Sequence, residues 1–234
     1  MDESESFHFS FKVAIVGDSG VGKSTLLEGE GTADGGGAAG GFQQRPVDSS
    51  VGLNFRVKLY EVGGRVYRVQ FWDCPGAERY MKLTSRYCAG AAGAIFVFDV
   101  NDRATFDSLE GWVGEVEKNN TVLKVLVGNK VEDGNQSARE VTTAQAEAFA
   151  DKHGMDYFET NALAGTRCDA VFRDIFTQVV ENVPNPPEPS LLLKKGIKIG
   201  KRMLADRKFR SSLFLASQRG SGGANESATH LDWL

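Results

Sequence analysis

Residues Gly17-Asp18-Ser19-Gly20-Val21-Gly22-Lys23-Ser24 fit the spacing G-x-x-x-x-G-K-S. That spacing suits one kind of chemistry, the cradling of phosphates. Glycines let backbone N–H groups curl around an α- and a β-phosphate, and a helix starting just beyond adds positive potential. The Lys23 ammonium is placed to reach the β- and γ-phosphates, and the Ser24 hydroxyl to ligate Mg²⁺. Thr25 follows directly and belongs to the same cradle.

A second constellation lies at 72–80, WDCPGAERY. Asp73 and Gly76 form an Asp-x-x-Gly unit. The next residue, Ala77, carries a methyl group that can neither donate nor accept a hydrogen bond. Two further polar clusters each follow an apolar run: Asn129-Lys130-Val131-Glu132 and Asn161-Ala162-Leu163. The three histidines, His8, His153 and His230, are scattered and have no evident catalytic partner.

These clusters need elements to hold them. Phe7 to Val16 alternates, turns apolar and ends at Gly17, so it reads as a buried strand. NFRVKLYEV and RVYRVQFWD flank Gly63-Gly64, a hairpin signal. AGAIFVFDV and LKVLVGNK are short apolar runs suited to central parallel strands, and MDYFET is a sixth strand. Helices are expected near Lys23, over about 103–118 after Asp102, over 142–153 with Thr142 as N-cap, and over 167–182. Strands alternating with helices predict an α/β doubly wound sheet, in which ligands bind beyond the carboxyl ends of the strands. Every cluster named above falls at a strand end.

The chain has 234 residues, 41% of them hydrophobic, which suits one domain over 1–183 with tails. Residues 28–41 are a Gly-rich insertion expected as a flexible loop, 184–190 a Pro-rich linker, and 217–234 a disordered tail. Residues 1–183 carry 18 Lys and Arg against 27 Asp and Glu, whereas 184–234 carry 9 against 4. The acidic body argues against nucleic-acid binding. Three separated cysteines, Cys74, Cys88 and Cys168, make no disulfide framework and no metal spacing, and suit a reducing, cytoplasmic compartment. No run of about 18 apolar residues predicts a membrane span.

In order and spacing, GDSGVGKS, SSVGLNF, WDCPGAERY, VLVGNK and YFETNA resemble the Ras-superfamily small GTPases, most of all the Rab-like branch, over about residues 9–182. The resemblance implies a six-stranded P-loop NTPase fold, mostly parallel with one antiparallel edge strand. It implies GTP or GDP and Mg²⁺ as ligands. Asp73 then matches the Mg²⁺-side aspartate, and Gly76 the glycine whose N–H senses the γ-phosphate. Ser50 matches the switch I threonine, with Gly52 and Phe55 completing that frame. Phe42 is the candidate for the aromatic against the base. Asn129, Lys130, Asn161 and the Ala162 N–H match base-recognition positions. Effector proteins would meet residues 50–55 and 76–87.

Four positions depart from the family pattern. Ala77 stands where the family places the glutamine that orients the attacking water, so hydrolysis should be slow. Pro75 stiffens the same turn. Glu132 replaces an aspartate that pairs with guanine, adding one methylene and reducing discrimination. Leu163 replaces a lysine that packs on the base.

The chain ends in THLDWL, without the C-terminal cysteines that carry a prenyl anchor in most Rab-type relatives. Residues 191–216 are basic and amphipathic. Within them, 191–209 set Leu193, Ile197, Ile199, Met203 and Leu204 against Lys194, Lys195, Lys198, Lys201 and Arg202, a pattern that fits a peripheral membrane surface, a partner groove or the chain's own domain. The missing glutamine and anchor, with TFDSLEGW and YFETNALAG, are similar to the Rab-and-J-like (RJL) subgroup, but no J-domain His-Pro-Asp motif is present. Other divergent Rab-like proteins, including those of ciliary transport, stay open. Three functional readings follow: a slowly hydrolysing switch in signalling or vesicle and ciliary trafficking, a constitutively GTP-bound effector-binding module, and a P-loop NTPase with relaxed base choice.

Overall fold

The structure is a computed structural model that describes residues 7–29, 54–62, 64–118, 122–132 and 138–182. The expected Gly-rich loop beyond Gly29, Phe42, Ser50, the Pro-rich linker and the whole basic tail lie outside the described residues.

Six strands form one sheet in the order β2-β3-β1-β4-β5-β6: β1 (Phe9–Val16), β2 (Asn54–Val62), β3 (Arg65–Asp73), β4 (Gly93–Asp99), β5 (Leu123–Asn129) and β6 (Asp156–Glu159). β2 pairs antiparallel to β3 and takes the edge, while the other pairings are parallel. The β2–β3 hairpin closes from Val62 to Arg65 across Gly63-Gly64. Gly64 has a φ of 74°, the left-handed conformation such a turn requires.

Alternation in the strands sorts the core into two layers. Val13, Ile15, Ile95 and Val97 point to one face, against Leu26 of α1 (Lys23–Gly29) and Phe172, Ile175 and Phe176 of α6 (Cys168–Glu181). Ala14, Val16, Phe96 and Phe98 point to the other. There they meet Phe106 of α3 (Arg103–Asp107), Trp112 and Val116 of α4 (Leu109–Glu117), and Ala146 and Ala150 of α5 (Thr143–His153). Burying both faces is what a run such as Ala94 to Phe98 dictates, since every residue of β4 is buried. The expected capping at Thr142 is present as a full capping box with Gln145, and Asp102 accepts from the Ala104 N–H to cap α3.

Two expectations need correction. The single helix over 103–118 is two helices that meet at Ser108. The Ser108 hydroxyl is committed to Asp18, 90 residues away. α2 (Glu78–Tyr87) was not foreseen. Met81, Thr84 and Tyr87 turn to the core, with only Thr84 fully buried, an amphipathic spacing that the sequence reading passes over.

Candidate functional site

The parallel sheet brings the carboxyl ends of β1, β3, β4, β5 and β6 to one edge. Ile15 of β1 is in register with Asp73 of β3, and the Cys74 N–H donates to the Ile15 carbonyl at 3.0 Å. The phosphate-type loop 17–24 and the segment 73–77 therefore leave the sheet side by side. Asp99 of β4 is in register with Asn129 of β5, which sets the 129–132 turn on the other flank.

Gly17 has a φ of 141°, and a Cβ there would meet the Val97 carbonyl oxygen at 2.1 Å. Gly22 has a φ of 96°, and a Cβ there would meet Asn129 Nδ2 at 2.3 Å. Both glycines are thus required by a positive φ and by close approach. α1 opens with the Leu26 N–H bonded to the Gly22 carbonyl at 2.8 Å. The amides of its first turn have no acceptor within the helix and are free for anionic oxygen.

Lys23 is buried, at 7% exposure. Its Nζ donates to the Gly17 carbonyl at 2.9 Å and the Asp18 carbonyl at 2.6 Å. Burial pulls its pKa below the ordinary lysine value, against the opposing pull of Asp73 and Asp18. The Ser24 hydroxyl donates to Asp73 Oδ2 at 2.5 Å. Burial raises the Asp73 pKa, opposed by the Ser24 bond and the Lys23 charge. A hydroxyl and a carboxylate held together beside a desolvated ammonium form the all-oxygen donor set that suits Mg²⁺, with a cation set for phosphate. Gly76 lies directly over Lys23. Ala77 precedes α2 in an extended conformation and supplies no side-chain cap.

The Asp18 side chain turns away from the loop. Its Oδ2 accepts from the Ser108 hydroxyl at 2.6 Å, and its Oδ1 from Trp112 Nε1 at 2.8 Å. So Asp18 offers the phosphate side its backbone, while its carboxylate anchors the loop to the α3–α4 junction. Sequence reasoning missed this bond. The available signal was a buried indole N–H, which needs an acceptor.

On the opposite flank, Asn129 is 2% exposed and joins three segments. Its Nδ2 donates to the Val21 carbonyl at 2.8 Å, and its Oδ1 accepts from the Thr160 hydroxyl and the Ala162 N–H, each at 3.0 Å. Thr160 is a second residue the sequence did not single out. Lys130 adopts a φ of 66°, and its Nζ pairs with Asp99 Oδ2 at 2.7 Å, while its carbonyl accepts from Asn101 Nδ2 at 3.0 Å. Glu132 lies exposed two residues on. Asn161 Oδ1 accepts from the Ala164 N–H at 3.1 Å, which folds the last loop on itself, and Leu163 stands 91% exposed at its tip.

Most of the sequence-derived site thus converges on one edge of the sheet: residues 17–25, 73–77, 129–132 and 161–163. Phe42 and Ser50 are outside the described residues. Among the described residues, no helix is long and apolar enough to cross a membrane.

Comparison with known proteins agrees with this geometry. A sequence model of the Ras family matches residues 12–181. The chain is similar to the Ras-related protein RAB1BV of Beta vulgaris, with 32% identity over 206 residues covering 85% of this chain and 92% of that one. It is similar to the Ras-related protein Rab-11A of Dictyostelium discoideum, with 33% identity over 188 residues covering 78% and 81%. With its six-stranded mixed sheet and its family-spaced motifs, the chain belongs to the Ras family as a Rab-like small GTPase, a group that binds GTP and GDP with Mg²⁺ and hydrolyses GTP.

Proposed function

We propose that this chain is a Rab-like molecular switch whose GTP-bound state is long-lived, acting in intracellular signalling or in vesicle or ciliary trafficking. The observation that carries the reading is the contrast within residues 73–77. Asp73, Gly76, Lys23 and Ser24 lie together as a nucleotide and Mg²⁺ site requires. The next residue, Ala77, offers only a methyl group where the attacking water needs an orienting hydrogen bond. Phosphoryl transfer depends on positioning and electrostatics, so the loss of one positioning contact slows turnover without weakening binding.

In this reading Ser24 and Asp73, with Ser50, hold Mg²⁺, which neutralises charge on the β- and γ-phosphates. Lys23 and the backbone of 17–25 hold the phosphates. Asn129, Lys130, Glu132 and the 161–163 loop, with Phe42, hold the base. Effectors read 50–55 and 76–87, and the segment 191–209 makes a peripheral membrane or partner contact. A second reading, an effector-binding module that stays permanently GTP-loaded, is the limiting case of the same defect.

Chromatography of the nucleotide released from purified protein tests the proposal. GTP as the main nucleotide is expected. GDP alone, or rapid intrinsic turnover of added GTP, would sink it.

A further inference from the structure

Asp18 stands inside the loop that receives the phosphates, and a carboxylate is the side chain least suited to that place. A nucleoside triphosphate brings several negative charges there, and like charges repel. The presence of the acid therefore needs a reason.

Both of its oxygens are engaged by donors from the α3–α4 junction, Oδ2 by the Ser108 hydroxyl at 2.6 Å and Oδ1 by Trp112 Nε1 at 2.8 Å. An ionised acid offers two acceptor oxygens to two such donors. Trp112 is fully buried. The junction is itself tied to the sheet. Ser108 Oγ lies 3.0 Å from the Thr105 carbonyl oxygen, and the Thr105 hydroxyl accepts from the Asp99 N–H at 3.0 Å. The grip on Asp18 thus comes from a fixed wall.

The backbone of the same residue faces the chemistry. Its carbonyl accepts from Lys23 Nζ at 2.6 Å, and the Gly17 carbonyl accepts from that nitrogen at 2.9 Å. An ammonium carries three N–H donors. With two held by carbonyls, the direction of the third is set, and the third is what remains for phosphate. A Cβ on Gly76 would lie 2.6 Å from the Asp18 carbonyl oxygen, so Gly76 rests on the same peptide unit.

We propose that Asp18 is a positioning residue: its carboxylate, gripped by Ser108 and Trp112, fixes the peptide carbonyl that aims the Lys23 ammonium at the γ-phosphate, and so couples α4 to the phosphate that the loop holds. This deepens the nucleotide reading of the site and rests on GTP binding, not on slow hydrolysis. GDP has no γ-phosphate, so a misaimed ammonium costs GTP more than GDP. Coupling is reciprocal, so a γ-phosphate that draws on Lys23 also alters the bond at the Trp112 N–H.

The test uses the full chain with Mg²⁺, loaded with a fluorescent GDP and competed with GDP or with β,γ-imido-GTP, which reads the ratio of the two affinities. Asp18→Ala should shift that ratio toward GDP by about tenfold or more, because a hydrogen bond to a charged group is at stake. Asp18→Asn should recover most of the loss. Its amide oxygen accepts from Trp112, and its NH₂ donates to Ser108 Oγ, whose own proton turns to the Thr105 carbonyl. Ser108→Ala and Trp112→Phe should shift the ratio the same way by about threefold each, and they carry the test should Asp18→Ala fail to fold. The chain has three tryptophans, and the indole N–H resonance lost in Trp112→Phe identifies Trp112 in isotope-labelled protein. That resonance should differ between the GDP and β,γ-imido-GTP forms, and stop differing in Asp18→Ala. Equal losses for both nucleotides, an Asp18→Asn no better than Asp18→Ala, or a Trp112 resonance indifferent to the nucleotide would each overturn the proposal alone. A parent chain that binds neither nucleotide would overturn the nucleotide reading, and the proposal with it.

Discussion

Gly76 is packed so closely on Lys23 that a methyl group at residue 76 would sit 2.4 Å from Nζ and 2.6 Å from the Asp18 carbonyl oxygen. The lysine head could shift, but the carbonyl belongs to the backbone of the phosphate loop. Gly76→Ala should therefore push the 73–77 segment off the loop, at about 1–3 kcal/mol for overpacking. The expected result is a loss of roughly tenfold or more in affinity for a non-hydrolysable GTP analogue, read by calorimetry on a variant with an unchanged circular dichroism spectrum.

Ala77 has nothing with which to hold a water. Ala77→Gln restores a carboxamide there, and single-turnover GTP hydrolysis should rise by about tenfold or more. An unchanged rate would place the defect at Pro75 or in switch I.

Asn129 holds three partners with one side chain. Asn129→Ala leaves the Val21 carbonyl, the Thr160 hydroxyl and the Ala162 N–H buried without it. The fold should lose about 1–3 kcal/mol, and guanine nucleotide should dissociate much faster. Denaturant melts with and without GDP separate the two effects, since added GDP should rescue less stability in the variant than in the parent.

Asp174 on α6 has a pKa raised to about 6, first by burial and then by the nearby Asp156 carboxylate; Gln178 Nε2 bridges the two, at 2.7 and 2.9 Å. A carboxyl whose folded pKa lies above its unfolded value binds more protons folded than unfolded between those values. Its contribution to stability therefore falls as pH rises from about 4 to about 6. Asp174→Asn should flatten that slope and stabilise the protein near pH 7 by about 1–2 kcal/mol, discounted for partial exposure. Melting temperatures measured from pH 4.5 to 7.5 check the sign; a variant less stable at pH 7 would contradict it.

Much of this was legible in the sequence, for physical reasons. Strand residues such as Ala94 to Phe98 are apolar without interruption because both faces of the sheet are covered, so β4 announces itself. The phosphate loop is legible because its glycines cannot be replaced. The α2 helix is legible too, since Met81, Leu83 and Tyr87 gather on one side and Glu78, Lys82 and Arg86 on the other, a spacing the sequence reading passes over. The break at Ser108 and the role of Thr160 are silent for a physical reason. Each depends on a partner far along the chain, Asp18 for one and Asn129 for the other, and no local spacing encodes such a pair.

The Asn129 joint has a consequence for assembly of the chain. Its bonds span 108 residues to Val21 and about 30 to Thr160 and Ala162. Closing contacts of that separation costs loop entropy, so the joint holds together segments that the sheet has brought side by side. A nucleotide bound beside it would help to hold that joint shut. By mass action a hundredfold excess over Kd adds about 2.7 kcal/mol to the folded state. By that linkage, nucleotide held in the site adds to the stability of the fold as well as carrying a signal.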